Sequence, residues 1–250
     1  MPTSETRPLL SLYNIDKQFG AVKAVHDVDF TVAPGQVVAL LGDNGAGKST
    51  LVKIIAGVFR PDAGEMTFGG QTADWRSPRD SRAAGIEVVY QDLGLVSWMS
   101  IARNFFLGKE LTTPLWSLDL NRMRMIARDR IAELGVPLVD TDQPIGRLSG
   151  GQQKAVAIAR SLYFGVRLMI LDEPTAALSV GETRKVLEVI HELRKRGIAV
   201  IFITHNMHHA LDVADRFVVI STGTKILDAN RDDVDHTILE RAIVDGTGIA

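Results

Sequence analysis

The sequence contains no cysteine. Disulfides and thiolate metal centres are thereby excluded, which suits a reducing compartment. It also lacks an excess of either charge: 28 Lys and Arg face 30 Asp and Glu, for a formal net charge of −2. That balance speaks against a protein whose work is to coat nucleic acid. Long apolar runs are missing as well. The amino terminus, MPTSETRPLL, has no apolar core of signal-peptide length, and the richest apolar stretch, 155–171, is interrupted by Arg160 and Arg167. The expectation is a soluble chain that reaches a membrane only through a partner. Neither an internal repeat nor a low-complexity segment occurs.

What is present is apolar content of 46% over 250 residues, enough for a sizeable core in one large or two small α/β domains. Short, predominantly apolar runs predict buried parallel strands at 37–41, 86–90, 168–171, 198–204 and 217–221. Helical spacing separates several of them. Leu51, Ile54, Ile55 and Val58 share one face, as do Val186, Val189, Ile190 and Leu193, with Gly197 as a helix stop. Strand and helix in alternation imply a parallel sheet covered by helices. The first part differs: Val28, Phe30 and Val32 alternate with Asp27, Asp29 and Thr31, the pattern of a half-exposed antiparallel strand. Residues 92–147 predict a mainly helical insert, with Met123, Ile126, Ala127, Ile131 and Leu134 on one face of a helix over 121–134. Arg122, Arg124 and Arg128 flank that face and are read as solvated.

Two stretches look built to hold anions. GDNGAGKST (42–50) follows an apolar strand and precedes an amphipathic helix, the setting a phosphate-binding loop requires. Gly42, Gly45 and Gly47 let the backbone wrap closely, Lys48 would reach the β- and γ-phosphates, and Ser49 would ligate Mg²⁺. A hundred residues later, LSGGQQ (148–153) opens a helix. Ser149 and Gln152 form a capping-box pattern, and Gly150 and Gly151 leave free N–H groups at the positive end of the dipole.

Further polar residues fall at strand ends. LMILDE places Asp172 where a carboxylate can hold hydrated Mg²⁺, and Glu173 where one can orient or deprotonate water. His205 ends the strand IAVIFIT on the same sheet edge, within plausible reach of a γ-phosphate, whereas His208 and His209 are read as surface residues. Gln91 ends another strand, where its carboxamide would join the Mg²⁺ shell and the attacking water. Phe19, in KQFG, offers a ring to stack on adenine or a plain buried aromatic.

The ordered set Phe19, GDNGAGKST, Gln91, LSGGQQ, LMILDE and His205 resembles the ATP-binding subunits of ABC transporters over about residues 9–230. The stretches VVYQDLGLVSWMSIARNFFLGKE and DEPTAALSV are similar to the bacterial sugar-importer branch, with its ribose, xylose and fructose systems. The resemblance implies a P-loop NTPase of the ABC type, with a mainly parallel sheet flanked by helices, an N-terminal antiparallel part and a helical subdomain. It implies one nucleotide-binding domain over 5–240, with its core at 5–91 and 159–240 and the helical subdomain, including the signature, at 92–158. ATP and Mg²⁺ are the implied cofactors. The nucleotide would be bound by Phe19, by Gly42, Asp43, Asn44, Gly45, Ala46, Gly47, Lys48, Ser49 and Thr50, and by Ser149, Gly150, Gly151 and Gln152. Ser49, Gln91 and Asp172 would serve the metal, and Glu173, His205 and Gln91 the chemistry.

The implied partners are a second copy of the chain packed head to tail, transmembrane permease subunits and, indirectly, a solute-binding protein, with no nucleic acid. The implied place is the cytoplasmic face of the inner membrane. Two phosphate-binding helix starts per chain then make two composite sites per dimer. Import of another small solute, such as an amino acid, and a soluble ABC clamp are the alternatives. The short interval from Gln91 to Ser149 disfavours the clamp. The loop TAALS carries Ser179 where the family commonly has Asp.

Overall fold

The computed structural model describes residues 7–136 and 140–246. The first elements are β1 (Leu10–Phe19), β2 (Val22–Val32), β3 (Val37–Leu41), α1 (Lys48–Ile55), β4 (Ala63–Phe68), β5 (Gln71–Thr72), α2 (Pro78–Ala84) and β6 (Ile86–Val89). Then come α3 (Ile101–Phe106), α4 (Leu120–Ala132), α5 (Gly150–Tyr163), β7 (Leu168–Asp172) and α6 (Val180–Lys195). The last are β8 (Ala199–Ile203), α7 (Met207–Val213), β9 (Arg216–Ser221), β10 (Thr224–Asn230) and α8 (His236–Asp245). The described chain divides into two compact units. One takes the residues up to Val88, Arg167–Glu173 and those from Leu193 on; the other takes Val89–Val166 and Pro174–Glu192. α5 runs unbroken through residue 158.

The first unit holds two sheets, of order β2-β1-β4-β5 and β10-β9-β3-β8-β7-β6. In the larger one, β3 pairs in parallel with both β8 and β9, and β7 pairs in parallel with β8. β3 and β8 are buried along their whole lengths, which is why the sequence shows continuous apolar runs there instead of alternation. β10 turns back antiparallel on β9 through Thr222 and Gly223, both at positive φ, as a two-residue hairpin turn demands. The smaller sheet is antiparallel, and β2 buries Val28, Phe30 and Val32 while exposing Asp27 and Asp29. One apolar cluster joins the two sheets, including Leu12, Phe30, Leu40, Ile54, Ile170 and Ile201. A single guanidinium also ties them together. Arg216 donates to both oxygens of Asp228 at 2.6 Å and to the carbonyl and hydroxyl oxygens of Thr31 at 3.0 and 2.9 Å.

The expected helix face reaching Val58 is too long. α1 ends at Ile55, Gly57 follows in the left-handed region, and Val58 is 45% exposed. A Cβ at Gly57 would lie 2.8 Å from the Ser77 carbonyl oxygen, so the chain turns away there.

The second unit is helical, as the insert's pattern predicts. Phe105 and Phe106 of α3 pack with Tyr163 at ring distances of 5.7 and 5.4 Å. α4 buries Met123, Ala127 and Ile131, while Ile126 is half-buried and Leu134 is buried beyond the helix end. Buried Asn104 cross-links the preceding turn, accepting from Val96 N–H and donating to the carbonyls of Val96, Met99 and Ser100. Arg124 pairs with Asp142 at 2.7 Å and Arg128 with Asp129 at 3.5 Å, so two of the three arginines flanking the apolar face of α4 have acidic partners.

Candidate functional site

In the first unit, β3, β8 and β7 lie side by side and parallel, so their carboxyl ends share one sheet edge. That edge is where open α/β sheets bind ligands. β3 leads into residues 42–47, and α1 starts at Lys48. Gly42 sits at φ 140 with a would-be Cβ 2.1 Å from the Ile220 carbonyl oxygen. Gly47 sits at φ 111 with one 2.4 Å from the Ala24 carbonyl oxygen. No side chain fits at either position, so these glycines fix the loop against the unit's own backbone. Gly45 differs: it is left-handed but faces open space, leaving the backbone at the loop's tip accessible. Asp43, Asn44, Gly45 and Ser49 are exposed, Lys48 and Thr50 half-buried, and Gly42, Ala46 and Gly47 buried.

The Lys48 ammonium donates to the carbonyls of Gly42 and Asp43 at 2.7 and 2.8 Å, inside the curve of the loop. Burial lowers its pKa, opposed by the charges of Glu173, Asp172 and Asp43. Asp172 closes β7. Burial and the neighbouring Glu173 raise its pKa, against the pull of Lys48 and Lys53. Lys48, Asp172 and Glu173 therefore form one electrostatic group.

Glu173 has φ 49, rare for a residue with a side chain, and its N–H donates to the Ile203 carbonyl at 3.0 Å. Glu173 Oε1 accepts from the His205 backbone N–H at 3.1 Å and lies 2.8 Å from His205 Nδ1. Glu173 Oε2 is buried without a hydrogen-bond partner. A buried carboxylate oxygen left unpaired is costly, and a hydrated cation or a reacting water would satisfy it. The residues fit Mg²⁺ on that ground, together with the exposed Ser49 hydroxyl and the half-buried Asp172. Such an ion usually takes one or two carboxylates and completes its shell with phosphates and water.

Phe19, at the end of β1, is 43% exposed and meets Phe59 edge-on at 5.1 Å, so its ring is not a core residue. His208 is exposed and stacks on His236 at 4.7 Å, while His209 is half-buried with a pKa lowered by burial. Among the described residues no three His, Asp or Glu side chains converge as a metal cage.

The remaining residues belong to the second unit. Gln91 is exposed just past β6. Ser149 caps α5: its hydroxyl accepts from Gln152 N–H at 3.4 Å, and Gln152 Oε1 accepts from Ser149 N–H at 3.0 Å. Gly150 and Gly151 occupy the first turn as the pattern predicts. Two residues there escape the motif reading. Buried Lys154 donates to the carbonyls of Pro174 and Ala176 at 2.6 and 3.3 Å. Glu182 accepts from both N–H and hydroxyl of Ser179. The second has a sequence signal, Ser-x-x-Glu at 179–182, a capping box in its own right.

The chain is 44% identical over 227 residues to the xylose/arabinose import ATP-binding protein XylG of Sulfolobus acidocaldarius, covering 90% of this chain and 89% of that one. It is 43% identical over 233 residues to the fructose import ATP-binding protein FrcA of Rhizobium meliloti, covering 90% of each. The crystal structure of the ADP conformation of MJ1267, an ATP-binding cassette of an ABC transporter, superposes with a TM-score of 0.82 at 26% identity, covering 96% of each chain. The sequence profile of the ABC transporter family matches residues 25–176, and the chain belongs to that family.

Proposed function

We propose that this chain is the ATP-binding and ATP-hydrolysing subunit that energises a membrane importer of a sugar. The observation that carries the reading is Glu173: one carboxylate oxygen is held by His205 while the other is buried and unpaired, beside the Lys48–Asp172 group. The similarity to xylose/arabinose and fructose import proteins supports a monosaccharide as cargo.

Lys48 and the backbone of residues 43–48 would bind the nucleotide's phosphates, and the exposed Phe19 ring would stack on the base. Mg²⁺ held by Ser49 and Asp172 would offset the phosphates' charge. Glu173 would accept a proton from the attacking water at its unpaired Oε2, and His205 keeps Oε1 in place for that task. Ser149 and the first turn of α5 would receive the terminal phosphate held by a second copy, so that ATP joins two chains and hydrolysis parts them. Among the described residues no helix is long and apolar enough to cross a membrane. The similarity to import ATP-binding proteins supports work on the cytoplasmic face of the plasma membrane, docked on permease subunits.

Copurification of the complex in mild detergent, followed by sugar-dependent phosphate release, tests the reading. ATP turnover that rises with a pentose or fructose in the presence of the cognate binding protein supports it. Stimulation by an amino acid instead would reassign the cargo.

A further inference from the structure

Within the second unit, the segment 174–182 is fastened to the start of α5 at two points. Lys154, one turn into the helix, holds the carbonyls of Pro174 and Ala176. Glu182, in the first turn of α6, works at the other end. Its Oε2 accepts from Ser179 N–H at 3.1 Å, and Ser179 Oγ accepts from Glu182 N–H at 3.4 Å, the two bonds of a capping box; Ser179 Oγ–H lies 2.8 Å from the same Oε2. Its Oε1 faces the neighbouring helix, where Gly151 N–H donates to it at 3.5 Å, and the Ser149 hydroxyl beside it helps to lower its pKa. A Cβ at Gly151 would lie 3.2 Å from Glu182 Cβ, so a larger residue would have to push the two helix starts a few tenths of an ångström apart. Bonds from Ser179, Ser149 and Gly151 hold the carboxyl pKa down to about 2, and the group is an anion throughout the neutral range.

Ser149 O–H and Gly151 N–H each carry one hydrogen. These are the donors that the proposed function gives to the terminal phosphate of a second copy, and the inference rests on that reading. The chain's own carboxylate and the incoming phosphate are therefore rival acceptors, and both are negatively charged. We infer that Glu182 is a positioning residue that pre-occupies the signature's donors, so that each composite site closes only as its side chain yields Ser149 and Gly151 to the partner's ATP. Ser179 fits this role. An Asp there, as the family commonly has, would set a second carboxylate against Glu182, whereas Ser supplies two donors that steady it.

The test uses the full chain carrying Glu173→Gln, which slows hydrolysis, with MgATP and sedimentation velocity to measure the monomer–dimer equilibrium. Adding Glu182→Gln should tighten ATP-dependent dimerisation about five-fold per site, the effect of releasing one competing hydrogen bond. Affinity of the monomer for ATP should stay the same, since the P-loop is untouched. Ser179→Ala removes the cap but leaves Oε1 facing Gly151, and should not reproduce the gain. If Glu182→Gln fails to fold, Glu182→Asp, which shortens the reach, should give a smaller gain in the same direction. An unchanged or weaker dimer in a variant with unaltered circular dichroism overturns the inference. A parent that does not dimerise with MgATP, or that dimerises equally well with Ser149→Arg, overturns the signature reading and this inference with it.

Discussion

His205 holds Glu173 by two bonds to one oxygen: the backbone N–H at 3.1 Å and the imidazole Nδ1 at 2.8 Å both meet Oε1. With the backbone of Glu173 at φ 49, the carboxylate has little freedom, and its second oxygen is left for the reaction. Glu173→Gln should therefore slow hydrolysis by about two to four orders of magnitude, the usual share of a positioned base, while ATP binding persists. Steady-state phosphate release and nucleotide titration separate the two effects, and near-normal turnover would remove Glu173 from the role of base.

His205→Ala removes the imidazole contact but keeps the backbone one. Its effect should be smaller, up to about a hundredfold on kcat with little change in KM, because it loosens the base without deleting it. A loss as large as that of Glu173→Gln would mean that His205 touches the reacting phosphate itself.

Lys48→Ala deletes the ammonium lodged between the carbonyls of Gly42 and Asp43. MgATP affinity should fall by about tenfold or more, the worth of a charge-assisted hydrogen bond to phosphate. Isothermal calorimetry reads this directly. Phe19→Ala should weaken binding only modestly, since the exposed ring contributes area and dispersion but no charge.

Ser149 and Lys48 should act on one ATP only when they come from different chains. Ser149→Arg spoils the signature and spares the P-loop; Lys48→Ala does the reverse. Each variant alone should be nearly inactive, but a mixture allowed to exchange subunits contains dimers with one intact composite site. A crosslink between cysteines introduced beside Lys48 and Ser149 would report closure on a background free of native thiols. If exchange is verified and no closure returns, the head-to-tail arrangement is wrong.

Glu182 also predicts a pH dependence. Its folded pKa, about 2, lies below the ordinary value of 4.5, because the Ser179 backbone and hydroxyl, Ser149 and Gly151 all bond to the charged form. The stability it contributes is fully present above about pH 4.5 and is lost as pH falls toward about 2. The difference in urea midpoint between the native chain and Glu182→Gln should therefore hold above about pH 5 and narrow steadily on acidification from there to about pH 3. A difference that stayed constant over that range would show that the carboxylate's charge contributes nothing.

Much of this was legible in the residues because the motifs and the strands are local. Runs such as VVALL and AVIFI are short, apolar and flanked by turn signals, and they became the buried strands β3 and β8. Ser149 and Gln152 capped α5 as their spacing requires. Less local features were hidden. Val58 kept the helical period, but Gly57 had already turned the chain against Ser77, twenty residues away. The twist at Glu173 and its bond to Ile203 depend on β8 lying alongside, which no window around LDEPT contains. Glu182 was visible as the end of a capping box, but its second oxygen meets a helix that begins thirty-two residues earlier.

The order of the larger sheet bears on how the chain is made. β3, which delivers the phosphate loop, has no sheet neighbour until β8 and β9, whose first residues beside it are Val200 and Arg216. At synthesis rates of ~5–20 residues per second, the nascent loop waits about 8–30 s for the strands that frame it. Arg216 closes the distance further back, joining Thr31 to Asp228 across the whole chain. Nucleotide should therefore not protect an arrested chain from protease until the segment through Asp228 has left the ribosome.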